Sequence, residues 1–467
     1  VTTPEAWLRR QAQETPDSPA IRGDGICLSF AALDRTVDRL ASALMAAGAH
    51  PGRAFGCASE DTALLAFLAL AAPRAGCPFL PVNPRLPATQ IGALFAKAGV
   101  AAAACDTPDQ VPGPVKVLAA ALLSAGSDTG QPACPLAADQ VHLIIGTSGS
   151  TGEPKGAMLT GANLRAAVQA SRQRLPIQPG DVWLGCLPLF HIGGLSVLFR
   201  CLEVGTTMLL HSRFDAAAVA GDLASGRATH VSLVPAMLAQ LLELGCRPSS
   251  RLRCALIGGQ GLPAALADRA LAAGWPICPS YGMSEAGSQV ATCVDATLWH
   301  PGLAGEPLPG LTIDTTATGR IRVRGPQVMA GYVNPTLSPG VGLDPDGGFE
   351  TNDLGGLDET GRLRVIGRAD DLLISGGENV APLAVEDLAG RCPGVAAIGV
   401  SGRADPAWGD LLVAIVVGDV AEQDFLAWCR ANLPSHLRPR AMVTVDALPL
   451  TGSGKLDRAA LRRLAAC

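Results

Sequence analysis

Ten residues carry the densest chemistry in this chain: Thr147-Ser148-Gly149-Ser150-Thr151-Gly152-Glu153-Pro154-Lys155-Gly156. They hold four hydroxyls, three glycines and one lysine. Hydroxyls and glycine N–H groups are donors without bulk, and glycine lets the backbone close on an anion. The combination predicts a phosphate cradle. A flexible Ser/Gly surface loop has a similar composition. Such a loop rarely ends in Pro-Lys-Gly directly after an apolar run, and here Val141 to Ile145 supplies that run. The spacing is not that of a P-loop, because Pro154 precedes the lysine and no Ser or Thr follows it.

Other reactive side chains sit where apolar runs end. Val231-Ser232-Leu233-Val234-Pro235 and Leu256-Ile257-Gly258-Gly259-Gln260-Gly261 read as strand ends followed by small residues, where open α/β sheets place ligands. Pro188-Leu189-Phe190-His191-Ile192-Gly193-Gly194-Leu195 reads as a helix entrance. His191 there either faces a cavity or is a hydrogen-bonded structural histidine. Arg200 follows within the apolar run Leu195 to Leu202. A buried arginine needs an anionic partner, supplied either by a second carboxylate on a substrate or by an acidic side chain. By residue type alone, Glu285 in Ser280-Tyr281-Gly282-Met283-Ser284-Glu285 is an ordinary loop carboxylate. Asp353 in Gly348-Phe349-Glu350-Thr351-Asn352-Asp353 is a turn aspartate, and Lys455 in Gly452-Ser453-Gly454-Lys455 a surface-turn lysine.

The elements that must position these groups follow from patterning. A helix is predicted over residues 4–15, a hairpin from Ile21 to Phe30 around Gly23-Asp24-Gly25, and a helix from there through Leu44. Strands and helices alternate to about residue 125, which implies layered α/β packing with much parallel sheet. A helix is predicted from Asn163 onward, and another near 263–273. Residues 304–366 are rich in glycine, proline and β-formers and predict a small, partly antiparallel subdomain. The remainder reads as an α+β unit, with Ile398-Gly399-Val400 and Leu411 to Val417 as strands.

Composition bounds the function class. A length of 467 residues predicts two or three domains. A net charge of −5 argues against a general nucleic-acid-binding surface. The fourteen cysteines lack C-x-x-C spacing, so buried reduced thiols are expected rather than a metal site. The longest apolar run, Ala63 to Ala72, is too short to span a bilayer, so no membrane association and a cytoplasmic setting are expected. Oligomeric state is not legible, and a homo-oligomer stays open.

Taken in order, the blocks 147–156, 281–285, 349–355, 367–379 and 452–458 resemble those of the acyl-adenylate-forming superfamily: acyl-CoA synthetases, luciferases and adenylation domains. The resemblance runs nearly end to end. It implies an α/β fold with a large N-terminal domain (1–367) of layered, mostly parallel sheets plus a small β-rich subdomain. A hinge (368–371) and a small mobile α+β C-terminal lid (372–467) follow. It implies a ligase that joins a small carboxylic acid to coenzyme A through an acyl-AMP intermediate, using ATP and Mg²⁺.

By resemblance, Thr147, Ser148, Gly149, Ser150, Thr151, Gly152 and Lys155 clamp the phosphates. Gly259, Gln260, Ser280, Tyr281, Gly282, Met283 and Ser284 hold AMP, and Glu285 holds Mg²⁺. Asp353 binds the ribose, and Arg368 binds ribose or phosphate. Asn352 stands where the superfamily usually has glycine, a position expected to need φ > 0. His191, Gly194, Arg200, Val234, Pro235 and Gly258 line the acyl pocket. Asp370 is the hinge residue, Gly376, Gly377 and Glu378 line the CoA tunnel, and Lys455 is the adenylation lysine. The stretches 186–214 and 278–293 are similar to those of o-succinylbenzoate–CoA ligases of menaquinone biosynthesis. Another aryl or short acyl acid, or a stand-alone enzyme loading a carrier protein, are the alternatives.

Overall fold

The computed structural model describes residues 3–23, 25–107, 111, 115–119, 135–148, 154–451 and 456–466. Val141–Ser148 and Pro154–Thr160 form an antiparallel hairpin, in register from Leu143↔Leu159 to Ser148↔Pro154, with a register shift between Val141 and Leu143. It is the antiparallel end of a seven-stranded sheet. Gly331–Tyr332 pairs with it on one side. On the other side lie the parallel strands Phe79–Val82, Phe55–Ala58, Ala102–Cys105 and Lys116–Ala119. The following helix starts at Gly161 rather than Asn163 because of its cap. Thr160 Oγ1 accepts from Asn163 N at 3.1 Å while Asn163 Oδ1 accepts from Thr160 N at 3.0 Å, a reciprocal capping box.

A second sheet has thirteen strands in one hydrogen-bonded path. Its parallel part runs Pro19–Gly23, Thr207–Leu210, Val182–Gly185, His230–Leu233, Cys254–Ile257 and Ile277–Met283. Ile277–Met283 changes partner type along its length. Its first half pairs parallel with Cys254–Ile257, and its second half pairs antiparallel with Ser288–Thr292. From there the antiparallel strands Leu303–Pro307, Leu363–Arg368, Phe349–Leu357, Arg320–Arg324 and Thr312–Thr315 run to one edge, and Ile26–Ser29, antiparallel to Pro19–Gly23, forms the other. The β-rich region is therefore antiparallel, as expected, and continues the large sheet through one shared strand.

The largest apolar core draws side chains from both sheets, among them Phe55, Phe79, Trp183 and Met208, and from the helices Pro4–Glu14, Phe30–Ala46, Thr62–Arg74 and Ile192–Val204. Thr62–Arg74 is apolar on nearly every face and accordingly buried all round. Its last residue, Arg74, is 0% exposed and is neutralised by Asp34 at 2.8 Å and Asp38 at 3.0 Å.

A separate sheet begins at Leu373–Ser375. It pairs with Glu378–Val380 and Gly409–Gly418, followed by Val395–Asp405, with Ala441–Thr444 alongside. Its own apolar cluster includes Val385, Val400 and Phe425. The turn Ala369–Asp371 connects it to the large sheet. Two side chains touch across that connection: Leu383 lies against Gly261 and Ala381 against Gly367.

Asn352 does not adopt the expected left-handed conformation. It lies within the strand Phe349–Leu357, and its Oδ1 accepts from Arg320 Nη1 at 3.0 Å. The non-glycine residues with positive φ among the described residues are Ser288 (φ 114) and Leu337 (φ 52). Eleven of the twelve described cysteines are buried, and all twelve are unpaired thiols. Among the described residues no helix is long and apolar enough to cross a membrane.

Candidate active site

The chain has two tyrosines, and each places its hydroxyl on a carboxylate of one region. Tyr281 lies where Ile277–Met283 switches from parallel to antiparallel pairing, and its hydroxyl donates to Asp353 Oδ2 at 2.6 Å. Asp353 and Arg368 are register partners on neighbouring strands, and Arg368 Nη1 reaches Asp353 Oδ1 at 3.3 Å. Arg368 also grips Asp370 with Nε and Nη2, at 2.9 and 2.8 Å. Burial, reinforced by the Asp353 carboxylate, pushes the Tyr281 phenol well above its usual range, so it stays a donor. The hydrogen bond to Asp370 raises Arg368 further. The three predicted nucleotide residues thus converge, next to the predicted hinge residue. A carboxylate flanked by a phenol and a guanidinium keeps lone pairs for a sugar diol.

A second junction lies at the loop end of the hairpin. Lys155 pairs in register with Thr147, and its Nζ sits 5.0 Å from the centre of the Tyr332 ring. The Tyr332 hydroxyl donates to Glu285 Oε1 at 2.8 Å. Glu285 is held on the short turn Ser284–Ala286, where its carbonyl accepts from Met329 N at 2.7 Å. One carboxylate completed by substrate phosphates and waters is the oxygen-only, low-protein-ligand set that Mg²⁺ favours. The Glu285 side chain therefore fits that ion. Gly149, Ser150, Thr151, Gly152 and Lys455 lie outside the described residues, as does the Ser148 side chain.

The predicted acyl residues gather at the carboxyl ends of adjacent parallel strands. Val234 and Pro235 leave the strand His230–Leu233 and open the helix Pro235–Glu243. Gly258 N donates to Leu233 O at 3.1 Å, and a Cβ at Gly258 would stand 3.4 Å from Ser280 O. Gly259 has φ +85, and Gln260 is half-buried beside it. Ser280 Oγ donates to Ala291 O at 3.0 Å. Gly282 packs on the backbone of Ser288, and Met283 is half-buried against the apolar cluster beneath the antiparallel strands. His191 stands at the N-cap of Ile192–Val204, its ring edge-on to Phe190 at 4.9 Å. Gly194 allows that helix entrance to fold tightly, because a Cβ there would collide with Pro188 O.

Arg200, on the same helix, is the electrostatic outlier. It is 3% exposed, and among the described residues no carboxylate lies within 4.0 Å. Its Nη2 donates to Gln289 Oε1 at 2.9 Å, its guanidinium carbon lies 5.2 Å from the Trp183 ring centre, and its Nε has no hydrogen-bond partner. Burial lowers it to about 10, which leaves it cationic at neutral pH. Ser288, with its left-handed φ of 114, sets its hydroxyl 3.3 Å from Ser196 Oγ and 3.5 Å from Arg200 Nη2. Strained backbone of this kind costs of order 1–3 kcal/mol and clusters at functional sites.

Gly376 and Gly377 form the two-residue turn between Leu373–Ser375 and Glu378–Val380, with φ of 61 and 84. That pair of positive φ values is what a tight hairpin needs. Together with Glu378 they are exposed at the hairpin tip, where Gly376 packs on Trp408. Sequence patterning did not single out Tyr332, Trp183 or the side chain of Gln289. The scarcity of tyrosine was the available signal for Tyr332. Trp183 and Gln289 are simply apolar-strand and loop residues until Arg200 is placed.

Comparisons with known proteins match this arrangement. Residues 8–333 match the AMP-binding enzyme family, and residues 384–455 match the AMP-binding enzyme C-terminal domain. The 2-succinylbenzoate–CoA ligase of Bacillus mycoides is 38% identical over 341 residues, 70% of each chain. The o-succinylbenzoate CoA synthetase (MenE) of Bacillus subtilis, in complex with the acyl-adenylate intermediate OSB-AMP, superposes with a TM-score of 0.88 at 31% identity, covering 97% of both chains. ATP-bound MatB of Rhodopseudomonas palustris gives a TM-score of 0.88 at 27% identity over 99% of both chains. A large α/β unit carrying the tyrosine–carboxylate junctions, followed by a small α+β unit, places this chain in the AMP-binding enzyme family.

Proposed function

We propose that this protein is an ATP-dependent acid–CoA ligase that converts 2-succinylbenzoate, an acid with two carboxylates, into its CoA thioester through an acyl-AMP. The observation that carries the choice of acid is Arg200. A buried cation with no carboxylate beside it among the described residues suits a site whose counter-ion arrives with the substrate. The 2-succinylbenzoate–CoA ligase relatives support the same acid.

Tyr281, Asp353 and Arg368 hold the nucleoside of ATP, and the 147–155 loop holds its outer phosphates. Mg²⁺, when bound at Glu285, offsets the negative charge of the triphosphate. One substrate carboxylate, lying beside His191, attacks the α-phosphorus, and pyrophosphate leaves. Lys455 meets the charge that builds up as two anions approach. The acyl phosphate is labile in water, so a closed lid protects it.

The CoA thiol then attacks the acyl carbon, and AMP leaves. That step needs Lys455 withdrawn and the Gly376–Glu378 tip brought in, which rotation at Asp370 achieves by hinge motion. Two arginines frame the hinge. Arg368 grips Asp370, and Arg458, three residues after Lys455, lies 3.8 Å from Asp371 and donates to Glu386 Oε2 at 3.0 Å.

Tyr332→Phe removes a hydrogen bond to a charged group, worth about 1.5 kcal/mol, so the KM for ATP should rise roughly tenfold with kcat little changed. An unaltered KM would separate Tyr332 from the nucleotide site. The acid is tested by pyrophosphate release with and without CoA across a panel of acids. 2-Succinylbenzoate should exceed benzoylpropionate, which lacks the ring carboxylate, by about tenfold or more in kcat/KM. Equal values for the two acids would overturn the dicarboxylate reading.

A further inference from the structure

Among the described residues two arginines are almost wholly buried, and they are stabilised in opposite ways. Arg74 is paired with Asp34 and Asp38. Arg200 is held by neutral groups: the Gln289 amide oxygen and the indole of Trp183. Those groups are themselves fixed. Gln289 Oε1 also accepts from Ser171 Oγ at 2.6 Å, and Gln289 Nε2 donates to Thr292 Oγ1 at 2.8 Å. Trp183 is 1% exposed in the strand Val182–Gly185, and its Nε1 donates to Ser232 Oγ at 3.0 Å. His230 stacks on the same indole, with ring centres 5.1 Å apart and planes 27° apart. Burial pushes that imidazole down to about 4, so it brings no second cation to the ring at neutral pH.

The contrast has a chemical consequence. A protein carboxylate beside Arg200 would neutralise it and compete with any anionic ligand. An aromatic face attracts the guanidinium through its quadrupole, more strongly when water is excluded, yet adds no negative charge. The charge of Arg200 therefore stays available to an incoming anion. We infer that Trp183 is a positioning residue for acid specificity, holding Arg200 in place of a counter-ion so that the substrate's second carboxylate can take that role. This rests on the dicarboxylate reading given above.

Trp183→Leu, Trp183→Phe and Arg200→Gln test it, each assayed with 2-succinylbenzoate and with benzoylpropionate. Trp183→Leu should raise the KM for 2-succinylbenzoate about tenfold, while kcat, the KM for ATP and the KM for benzoylpropionate stay within about twofold. Trp183→Phe keeps an aromatic face and should recover most of that loss, which separates the cation–π role from simple filling of the core. Wild-type kinetics for Trp183→Leu, with Arg200→Gln still impaired, would overturn the role of Trp183 and leave the dicarboxylate reading intact. An unchanged KM for 2-succinylbenzoate in Arg200→Gln would overturn both. Equal losses toward both acids and ATP in Trp183→Leu, not relieved by Trp183→Phe, would mark the residue as structural and overturn the inference.

Discussion

Lys455→Ala should slow acyl-AMP formation by about 10²–10³-fold, the typical effect of removing one preorganised donor from a site of developing charge. Thioester formation from supplied acyl-AMP should be spared. The asymmetry follows from the chemistry of the two steps. In the first, a carboxylate meets a polyphosphate, and a lysine cation offsets their repulsion as the bond forms. In the second, the leaving group is AMP and no new pair of anions is brought together. Arg458 ties the start of the helix Arg458–Ala466 to Glu386 and to Asp371 of the hinge segment. Single-turnover measurement of each half-reaction reads the effect. Equal loss in both would refute the role given to Lys455.

Arg200→Gln should raise the KM for 2-succinylbenzoate by roughly 10–100-fold, the range for losing a hydrogen bond between charged groups, with the KM for ATP unchanged. The same position bears on stability. Burial depresses Arg200 to about 10, below its ordinary value. Below that pH both folded and unfolded chains carry the proton, so the cost of burying the cation is fully present at working pH. The unfolded chain keeps the proton longer as pH rises, so the cost is relieved only above about 10. Arg200→Met, which removes the charge and keeps an apolar stem, should therefore leave the thermal midpoint of the ligand-free protein unchanged or higher while destroying the preference for a dicarboxylic acid. A large fall in the midpoint would mean that Arg200 is a structural cation.

The fold was legible wherever periodicity and punctuation agreed. The hairpin at residues 21–30, the strand before the phosphate loop and the helix after it all emerge from pattern and capping chemistry. The site was legible only as far as residue type at strand ends could carry it. Asp353 and Arg368 lie on neighbouring strands, but Tyr281 lies on a strand separated from that of Arg368 by two others in the sheet, and no local signal in the sequence encodes that these strands come together. Asn352 shows the opposite failure: a loop-like stretch of sequence is a strand in the fold, so the argument for left-handed backbone had no object there. Among the described residues the non-glycine positions with positive φ are Ser288 and Leu337, whose types give no warning. Tyr332 and Trp183 gain meaning only from the groups they touch, Glu285 and Arg200.

The most direct measurement is product identification. The protein would be incubated with 2-succinylbenzoate, Mg²⁺-ATP and CoA, and the products resolved by mass spectrometry. The predicted result is succinylbenzoyl-CoA with stoichiometric AMP and pyrophosphate, and an accumulating succinylbenzoyl-AMP when CoA is withheld. Acid-dependent pyrophosphate release with no CoA thioester, or thioester formed only on a phosphopantetheinyl carrier protein, would contradict the assignment as a CoA ligase.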